Sequence, residues 1–459
     1  MMLHCIYSND IRLLNRFLVN TLQDQPLTDP FLAEQIVVPG IGLSQWLKLE
    51  LAKELGVAAQ IAYPMPANFL WRLFHNVLET VPKESDFNKE VLHWHIYAVL
   101  PALLEKPEFQ ALKHYLEQGQ QQGSALHAYQ LAARVADVFD QYLVYRIDWI
   151  NDWSAGGSLG ADQQAWQPIL WRAVCERIKE LGREPLHRAG LFVDFIEALK
   201  KTTIKSGVFA QIPPRLFFFG FSALPPIYLA VLEELAKHRD IYLLVLNPCR
   251  YFWSETDYST RSSVNEAGQQ TAVEHALLAS YGKQARGFLS QLQQMAMVEK
   301  EFYLDPSGNS LLSTVQKDLL EGKDRSADSI KAENSQHKIA VNKNDFSLSF
   351  HSHYSPLREV EALHNHLLYL FESDSTLTAG DVVVMVPAID RYSPYIHAVF
   401  NYEKKIPFSV ADRSAANEEP LLKFLLSLLQ LPSSRLTASE VQEWLALPAL
   451  QRRFQLDEN

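Results

Sequence analysis

The chain has 459 residues, of which 42 are Lys or Arg and 53 are Asp or Glu, so its formal net charge is −11. With 47% apolar and 21% charged residues it has the composition of a globular protein, which excludes a disordered, collagen-like or wholly coiled-coil chain. The length predicts two to four domains, at roughly 100 to 200 residues each. The acidic balance argues against a protein that coats DNA, because phosphate affinity comes from clustered Lys and Arg. A net negative charge is still compatible with a locally basic channel.

The three cysteines stand far apart, at positions 5, 175 and 249, and form no Cys-x-x-Cys pair. This pattern predicts neither a disulfide framework nor a zinc ribbon and is typical of a reducing compartment. The first ten residues lack the basic and apolar regions of an export signal. The longest apolar runs, such as residues 241–246, are far shorter than the roughly 20 residues that span a bilayer. We therefore expect a cytoplasmic protein without membrane contact.

Strand and helix patterns alternate from the start of the chain. Residues 3–7 form a short β-like run, residues 8–10 supply helix-capping side chains, and apolar residues then recur every three or four positions to residue 22. Residues 36–38 begin the same pattern again, with a Pro-Gly turn and a helix of leucines spaced by four that Gly56 closes. This alternation predicts a parallel α/β sheet.

The pattern becomes helical between residues 67 and 200, which we interpret as a helical insertion. Strand patterns return at residues 216–220 and 241–246, and their continuous apolar character is typical of buried parallel strands. Residues 1–66 and 201–250 are therefore assigned to one α/β domain that the insertion interrupts.

Polar residues become frequent from residue 251 to 344, which predicts a polar, partly disordered linker. A second α/β unit is expected over residues 345–459, with a strand at 346–350, a helix at 359–371 and a buried strand at 382–386. The sequence ends after helical segments without a closing strand, so we expect this unit to be truncated from a longer protein.

No nucleotide-binding motif is complete. A phosphate loop needs the pattern GxxxxGK[ST], but the Gly-Lys pairs at 282–283 and 322–323 are followed by Gln and Asp. Residues 40–42 form half of a dinucleotide fingerprint without its third glycine. The strand pattern at 217–219 ends in Gly-Phe-Ser, without the carboxylate that holds Mg²⁺ in an NTPase. The sequence therefore predicts neither ATP hydrolysis nor a cofactor in this chain.

Three pairs of histidines are separated by one residue: His93 and His95, His351 and His353, and His364 and His366. Residues two apart on a helix face different directions, so the first and third pairs are poor metal sites. The second pair would share one face of a strand, as metal ligands or as half-buried strand histidines. We favour the latter because no carboxylate or cysteine cluster stands nearby.

The helical segment at residues 137–146 places aspartates and aromatic residues at helical spacing beside Arg146. It is interpreted either as a face that lines a groove or as a core helix with solvated aspartates, and the residue pattern alone favours the second. Trp71 likewise is either a base-stacking residue or an ordinary core aromatic.

Six separated segments, taken in order, resemble the RecC family, the gamma subunits of exodeoxyribonuclease V. They are residues 38–47 (VPGIGLSQWL), 64–71 (PMPANFLW), 138–146 (VFDQYLVYR), 220–226 (GFSALPP), 247–251 (NPCRY) and 355–361 (SPLREVE). The resemblance covers the whole chain and implies that it is the N-terminal part of a longer protein.

The resemblance implies a P-loop-NTPase-like, superfamily 1 helicase fold with a degenerate nucleotide site, a large helical insertion and the start of a second helicase-like domain. It implies a non-catalytic subunit of the RecBCD helicase-nuclease, in double-strand-break repair by homologous recombination. Such a subunit channels the separated DNA strands and scans the 3′-ended strand for the Chi sequence. The implied partners are the RecB and RecD subunits and single-stranded DNA. ATP and Mg²⁺ are used by those subunits and not by this chain.

The resemblance also implies a Chi-scanning surface. Its ten positions are Pro39, Ile41, Gln45, Met65, Trp71, Asp137, Val138, Asp140, Arg146 and Arg188. Pro39 and Ile41 stand where the best-known members carry hydrogen-bonding side chains, so the resemblance implies that reading at these two positions is apolar or absent.

Three functions are compared: a DNA reader without catalysis inside RecBCD, a free-standing ATP-dependent helicase or nuclease, and a protein-interaction scaffold without DNA contact. The missing phosphate loop disfavours the second. Convergence of Gln45, Trp71 and the two arginines on one groove would favour the first over the third, because cations, amides and stacking faces bind single strands.

Overall fold

The computed structural model describes residues 2–78, 80–118, 124–162, 164–201, 212–251, 253, 275–323, 325, 339–403, 405–411 and 419–455. The chain divides into two compact units, Met1–Ser347 and Leu348–Asn459. Within the described residues, no helix combines the length and the apolar character needed to cross a membrane.

A parallel sheet of six strands forms the centre of the first unit. The strands are β1 (Leu3–Ser8), β2 (Glu34–Val37), β3 (Ile61–Ala62), β4 (Arg215–Phe219), β5 (Asp240–Leu246) and β6 (Val298–Glu301). Their order across the sheet is β3-β2-β4-β5-β1-β6, and each of the five pairings is parallel. The predicted α/β class with a parallel sheet is confirmed.

Helices connect these strands and build the insertion. They are α1 (Ile11–Asp24), α2 (Ile41–Leu55), α3 (Pro66–Val77), α4 (Lys89–Leu103), α5 (Gln110–Gln118), α6 (Ser124–Tyr145), α7 (Ile147–Ser154), α8 (Trp166–Glu180), α9 (Arg188–Lys201), α10 (Pro226–Ala236), α11 (Ala276–Tyr281), α12 (Lys283–Leu292) and α13 (Leu311–Glu321). As the sequence predicts, helix α1 begins at a capping carboxylate, since the Asp10 side chain accepts the Arg12 backbone N–H at 2.8 Å.

The two faces of the sheet bury different hydrophobic clusters, because successive side chains of a strand point in opposite directions. In β4, Leu216 and Phe218 enter one cluster, and Phe217 and Phe219 enter the other. Helices α3, α9 and α10 cover the first face, and α1 and α2 cover the second. This three-layer arrangement explains why the central strands are continuously apolar.

The described residues between α3 and α9 have a hydrophobic core of their own. Helices α4 to α8 supply most of it, around the fully buried rings of Trp153 and Trp171. Helices α3 and α9 instead pack mainly against the sheet. The region predicted as one helical insertion therefore contains a separate helical core and two helices that dock on the sheet.

The segment predicted as a polar linker, residues 251–344, has more structure than expected. It includes α11, α12 and α13, and β6 joins the edge of the sheet by pairing with β1. The four residues of β6, Val-Glu-Lys-Glu, are all exposed. The strand lies at the edge of the sheet, where its side chains do not need to be buried. Composition alone therefore missed it. Residues 254–274 and 326–338, where disorder was also expected, lie outside the described residues.

The described part of the second unit contains helices and no strand. The helices are α14 (Pro356–Ser373), α15 (Ile389–Glu403), α16 (Pro420–Leu429), α17 (Ala438–Leu445) and α18 (Pro448–Phe454). The strands predicted at residues 346–350 and 382–386 are wrong: both segments are irregular, and Phe350 and Met385 are 95% and 88% exposed. An apolar run forms a strand only where a neighbouring strand accepts its backbone hydrogen bonds.

A buried ion pair joins two neighbouring strands. Arg215 in β4 pairs with Glu34 in β2, and the two side chains are 8% and 12% exposed. The Arg215 guanidinium also donates to the backbone carbonyl of Thr21 at 3.4 Å, at the end of α1. The pair thus holds β2, β4 and α1 together.

We predict that Arg215→Met lowers the free energy of unfolding by about 3–5 kcal/mol, because it leaves the Glu34 carboxylate buried without its partner. Urea unfolding followed by circular dichroism measures this. The control is Lys113→Met, which breaks an exposed pair with Glu105 and should cost less than about 1 kcal/mol. Equal costs for the two variants would contradict the prediction.

Candidate nucleic-acid interface

The ten positions of the predicted DNA-reading surface fall into two groups joined by one helix. The sheet-edge group follows β2 and β3 and comprises Pro39, Ile41, Gln45 and Met65. The helix group lies on α6, at the start of α7 and on α9, and comprises Asp137, Val138, Asp140, Arg146 and Arg188. Trp71 stands on α3, between the two groups in sequence.

The sheet-edge group forms because the carboxyl ends of parallel strands share one edge of the sheet. The Val38 N–H donates to the Pro64 carbonyl at 3.1 Å. Pro39 is the residue after Val38, and Met65 is the residue after Pro64. Helices α2 and α3 begin here without a side-chain cap. Ile41 is 63% exposed and Met65 is 38% exposed, so both apolar side chains face outward.

Helix α3 carries Trp71 from the sheet toward α9. The Phe69 ring packs edge-on against Phe218 of the sheet at 6.0 Å, and the Phe74 ring packs at 5.1 Å against Phe192 of α9. The Trp71 indole lies edge-on to Phe74 at 6.2 Å and is only partly buried. Its position therefore keeps part of the indole available to a ligand.

Two ion pairs organise the helix group. Arg188 at the start of α9 pairs with Asp140 of α6, and Lys89 at the start of α4 pairs with Asp137 of α6. The hydrogen bond and charge of Asp137 raise the pKa of Lys89. Val138, which is 37% exposed, stands between the two aspartates in sequence. Phe139 is buried in the helical core and Tyr142 packs against it, as the core interpretation predicts, while both partly exposed carboxylates also pair with cations.

Arg146 is the member of the helix group at the start of α7. The Arg146 guanidinium lies 5.4 Å above the Trp149 ring and donates to the Tyr145 carbonyl at 3.2 Å. On α10, burial raises the pKa of Tyr228, with Tyr145 acting in the same direction and Arg188 opposing it.

A buried hydrogen-bond network fixes the start of α9. The Gly190 N–H donates to His187 Nδ1 at 3.0 Å, so the ring proton is on Nε2, which donates to Ser154 Oγ at 3.1 Å. Ser154 Oγ also accepts the Trp171 indole N–H at 2.9 Å and donates to the Ile150 carbonyl at 2.7 Å. The next residue after His187 is Arg188, so this network fixes the backbone from which that arginine projects.

Sequence reasoning missed three cations beside these groups. Lys89 escapes a sequence pattern because its partner lies 48 positions away. Lys48 lies 5.4 Å above the Tyr63 ring, and Arg72 donates to the Gln35 side chain at 3.2 Å. The last two could have been found from the sequence, since Lys48 follows Gln45 by three residues on α2 and Arg72 follows Trp71 directly.

The turn after β1, where a nucleotide loop would begin, is closed by its own contacts. The Asn9 amide donates to the Leu304 carbonyl at 2.8 Å and accepts the Leu304 N–H at 2.9 Å. The Asp10 carboxylate caps α1. A negative side chain therefore occupies the N-terminus of α1, where backbone N–H groups would otherwise be available to an anion.

The two members of the His93–His95 pair contact different partners. His93 bonds to the Tyr129 carbonyl, whereas His95 lies 3.7 Å from Asp86. His351 and His353 lie in an irregular segment with parallel rings 6.3 Å apart, so their description as half-buried strand histidines is wrong. Among the described residues, no group of three or more His, Cys, Asp or Glu side chains is arranged to hold a metal ion.

A cavity of about 500 Å³ lies in the helical part of the first unit. Asp86 and Arg183, which pair at 2.5 Å, contribute to its wall. None of the ten predicted residues lines it.

These features define an α/β protein with a parallel sheet, a helical insertion and a partly exposed set of polar, aromatic and cationic side chains along one sheet edge and two helices. Residues 3–322 match the family described as the RecC N-terminal domain, and residues 418–459 match the RecBCD enzyme subunit RecC fourth domain. The chain belongs to the RecC family, which confirms the resemblance found in the sequence.

Three relatives illustrate the similarity, each described as RecBCD enzyme subunit RecC. The chain is 38% identical to that of Escherichia coli strain K12 over all of its length and 43% of the relative. It is 33% identical to that of Haemophilus influenzae, over 98% of this chain and 44% of the relative. It is 28% identical to that of Mycolicibacterium smegmatis, over 94% and 39%. The chain thus spans about two fifths of the length of these relatives.

The network at the start of α9 predicts a pH dependence of stability. Burial lowers the pKa of His187 to about 4, against about 6.5 in an unfolded chain. Between these values the unfolded state binds more protons than the folded state, so stability decreases as the pH falls from about 6.5 toward 4. We expect a loss of about 2 kcal/mol between pH 7.5 and pH 5 from this residue.

Urea unfolding at the two pH values measures this loss. His187→Asn keeps a capping side chain that does not titrate, so it should remove most of the difference, whereas the exposed His114→Asn should leave it unchanged. The same pH dependence in all three proteins would show that His187 is not responsible.

Proposed function

We propose that this chain is the DNA-reading part of a non-catalytic RecC-type subunit. It binds the separated strands, and its exposed edge and helix groups scan the 3′-ended strand for Chi. The observation that carries the proposal is that none of the ten positions is buried, although their neighbours Val38, Leu70, Phe139 and Ala189 are. Structural residues of a core would show the opposite pattern.

The side chains divide the work of binding a single strand. Arg146 and Arg188 supply charge for phosphates, and Lys48 and Arg72 add cations beside the sheet edge. Gln45 offers an amide that bonds to a base edge in two places, and Trp71 offers a face for stacking. The exposed methyl groups of Ile41 contact bases without forming hydrogen bonds.

Asp140 acts as a positioning residue in this scheme. The Arg188 guanidinium has five N–H donors, so it can hold the Asp140 carboxylate and still donate to a phosphate. The pair limits the orientations of the guanidinium before DNA arrives, which lowers the entropy cost of binding. The network around His187 has the same effect on the backbone.

We further propose a helicase-like fold whose nucleotide site is degenerate, in a complex with RecB and RecD subunits that use ATP and Mg²⁺. The names of the relatives support membership of such a complex. The closed turn after β1 and its Asp10 carboxylate support the loss of the nucleotide site, because a triphosphate needs unoccupied N–H groups there. Repair of double-strand breaks in the cytoplasm follows from this assignment.

The chain should hydrolyse no ATP, with or without single-stranded DNA, because the sequence has no phosphate loop and no Mg²⁺-binding carboxylate after the strand at 217–219. Phosphate release by the purified chain measures this. DNA-stimulated turnover that co-purifies with the chain in stoichiometric amounts would contradict the prediction.

Gln45→Ala and Arg188→Ala should each weaken the Chi response of the assembled complex without slowing unwinding. Loss of a bidentate base contact costs about 1–3 kcal/mol, or about 5- to 150-fold in recognition. Because Pro39 and Ile41 offer no side-chain donors, we expect fewer specified bases, or different ones, than in complexes with polar residues there.

Chi-dependent product formation on a panel of single-base variants measures the response. The control is Arg358→Ala in the second unit, which removes an exposed arginine paired with Glu361 and should change nothing. Normal Chi responses in Gln45→Ala and Arg188→Ala would exclude the proposed reading surface and favour a scaffold without DNA contact.

A further inference from the structure

Four rings form a partly exposed aromatic cluster on α4 and α6, which we call the Trp94 cluster. It consists of His93, Trp94, Tyr97 and Tyr129. The Trp94 indole stacks on His93 at 5.5 Å with an interplanar angle of 14°, and it lies edge-on to Tyr129 at 5.5 Å and to Tyr97 at 6.0 Å. Trp94 is nevertheless 57% exposed and Tyr129 is 39% exposed. The cluster is therefore ordered by its own contacts while more than half of Trp94 remains exposed to solvent.

The cluster is held in place by a hydrogen bond between its two helices. His93 is buried and its Nε2–H donates to the Tyr129 backbone carbonyl at 3.0 Å, which ties α4 to α6. The His93 ring also packs 4.3 Å from the Tyr129 ring. A ligand that stacks on Trp94 thus meets a surface whose geometry is already set, which lowers the entropy cost of binding.

The cluster lies on α4 and α6, and α6 also carries Asp137, Val138 and Asp140 of the helix group. On α4, Trp94 follows Lys89 by five residues, or about 7.5 Å along the axis, and Lys89 pairs with Asp137. That distance is about two nucleotide steps at the roughly 3.4 Å separation of stacked bases. On α6, the exposed Arg134 stands one turn before Val138. Lys89 and Arg134 are therefore cations on the same two helices that carry the aromatic cluster.

We propose that the Trp94 cluster is an additional single-strand binding site, in which Trp94 and Tyr129 stack on bases next to those that the helix group contacts. This inference rests on the proposed DNA-reading function and extends its surface along α4 and α6. Aromatic faces interleaved with lysine and arginine are the combination that binds single strands without sequence preference. The cluster therefore holds the strand in place, while the ten predicted positions read it.

Binding of a fluorescent oligothymidylate to the purified chain tests the inference over a series of salt concentrations. Trp94→Ala should weaken binding about 5- to 150-fold at each concentration, the usual effect of losing one stacked base. It should leave the slope of affinity against salt unchanged, because stacking releases no counterions. Trp94→Phe should retain most of the affinity, whereas Arg188→Ala should reduce the slope. The control Tyr281→Ala removes an aromatic ring that is 86% exposed on α11 and should have no effect.

The outcomes separate this inference from the proposed function. Unchanged binding in Trp94→Ala together with weakened binding in Arg188→Ala overturns the inference alone. Unchanged binding in both variants, or no binding by the parent chain at low salt, overturns both. Photo-cross-linking of the unmodified chain to iododeoxyuridine-labelled DNA gives a result that does not depend on a variant. Cross-links at Trp94 or Tyr129 support the inference, and their absence while other residues cross-link overturns it.

Discussion

The contact between α3 and α9 determines whether the two groups of reading residues can act together. Phe74 of α3 packs at 5.1 Å against Phe192 and at 5.2 Å against Phe195, in the core of the first unit. Aromatic pairs in this edge-to-face geometry are worth about 0.5–1.5 kcal/mol each beyond their burial. Since α3 starts at the sheet edge and α9 starts at Arg188, this packing fixes the sheet-edge group relative to the helix group. Every proposed contact with DNA depends on that spacing.

Local patterns predicted the parts of the fold that local contacts determine. The capping Asp10, the leucine spacing in α2 and the apolar central strands each act within a few residues of the chain, so the sequence indicates them directly. Strand β6 is different, because an exposed, charged segment becomes a strand only where β1 offers a free edge. The runs at 346–350 and 382–386 show the converse, since no strand in the described part of their unit offers them a partner.

The same distinction applies to the site. Residue types alone left two interpretations for Trp71 and for residues 137–146. The structure adds the partners of the aspartates, Lys89 and Arg188, which come from other helices and lie 48 positions away in each case. Spacing along the sequence cannot reveal such pairs. Exposure is likewise a property of the packed chain: the sequence does not show that Trp94 faces solvent while Phe139 and Trp171 are buried.

A chain with a net charge of −11 can bind a polyanion only where its cations are not fully neutralised by neighbouring carboxylates. Arg146 rests on an aromatic ring, Lys48 lies over Tyr63, and Arg72 bonds to a neutral amide. Arg188 is held by a single carboxylate through part of its guanidinium, so donors remain for a phosphate. The turn after β1 shows the opposite arrangement, with the Asp10 carboxylate at the N-terminus of α1 and the Asn9 amide bonded to backbone. The carboxyl edge of the sheet thus combines a carboxylate-capped turn with a surface whose cations keep donors for the proposed contacts with phosphates. This charge pattern supports both the proposed loss of a nucleotide site and the proposed contact with DNA.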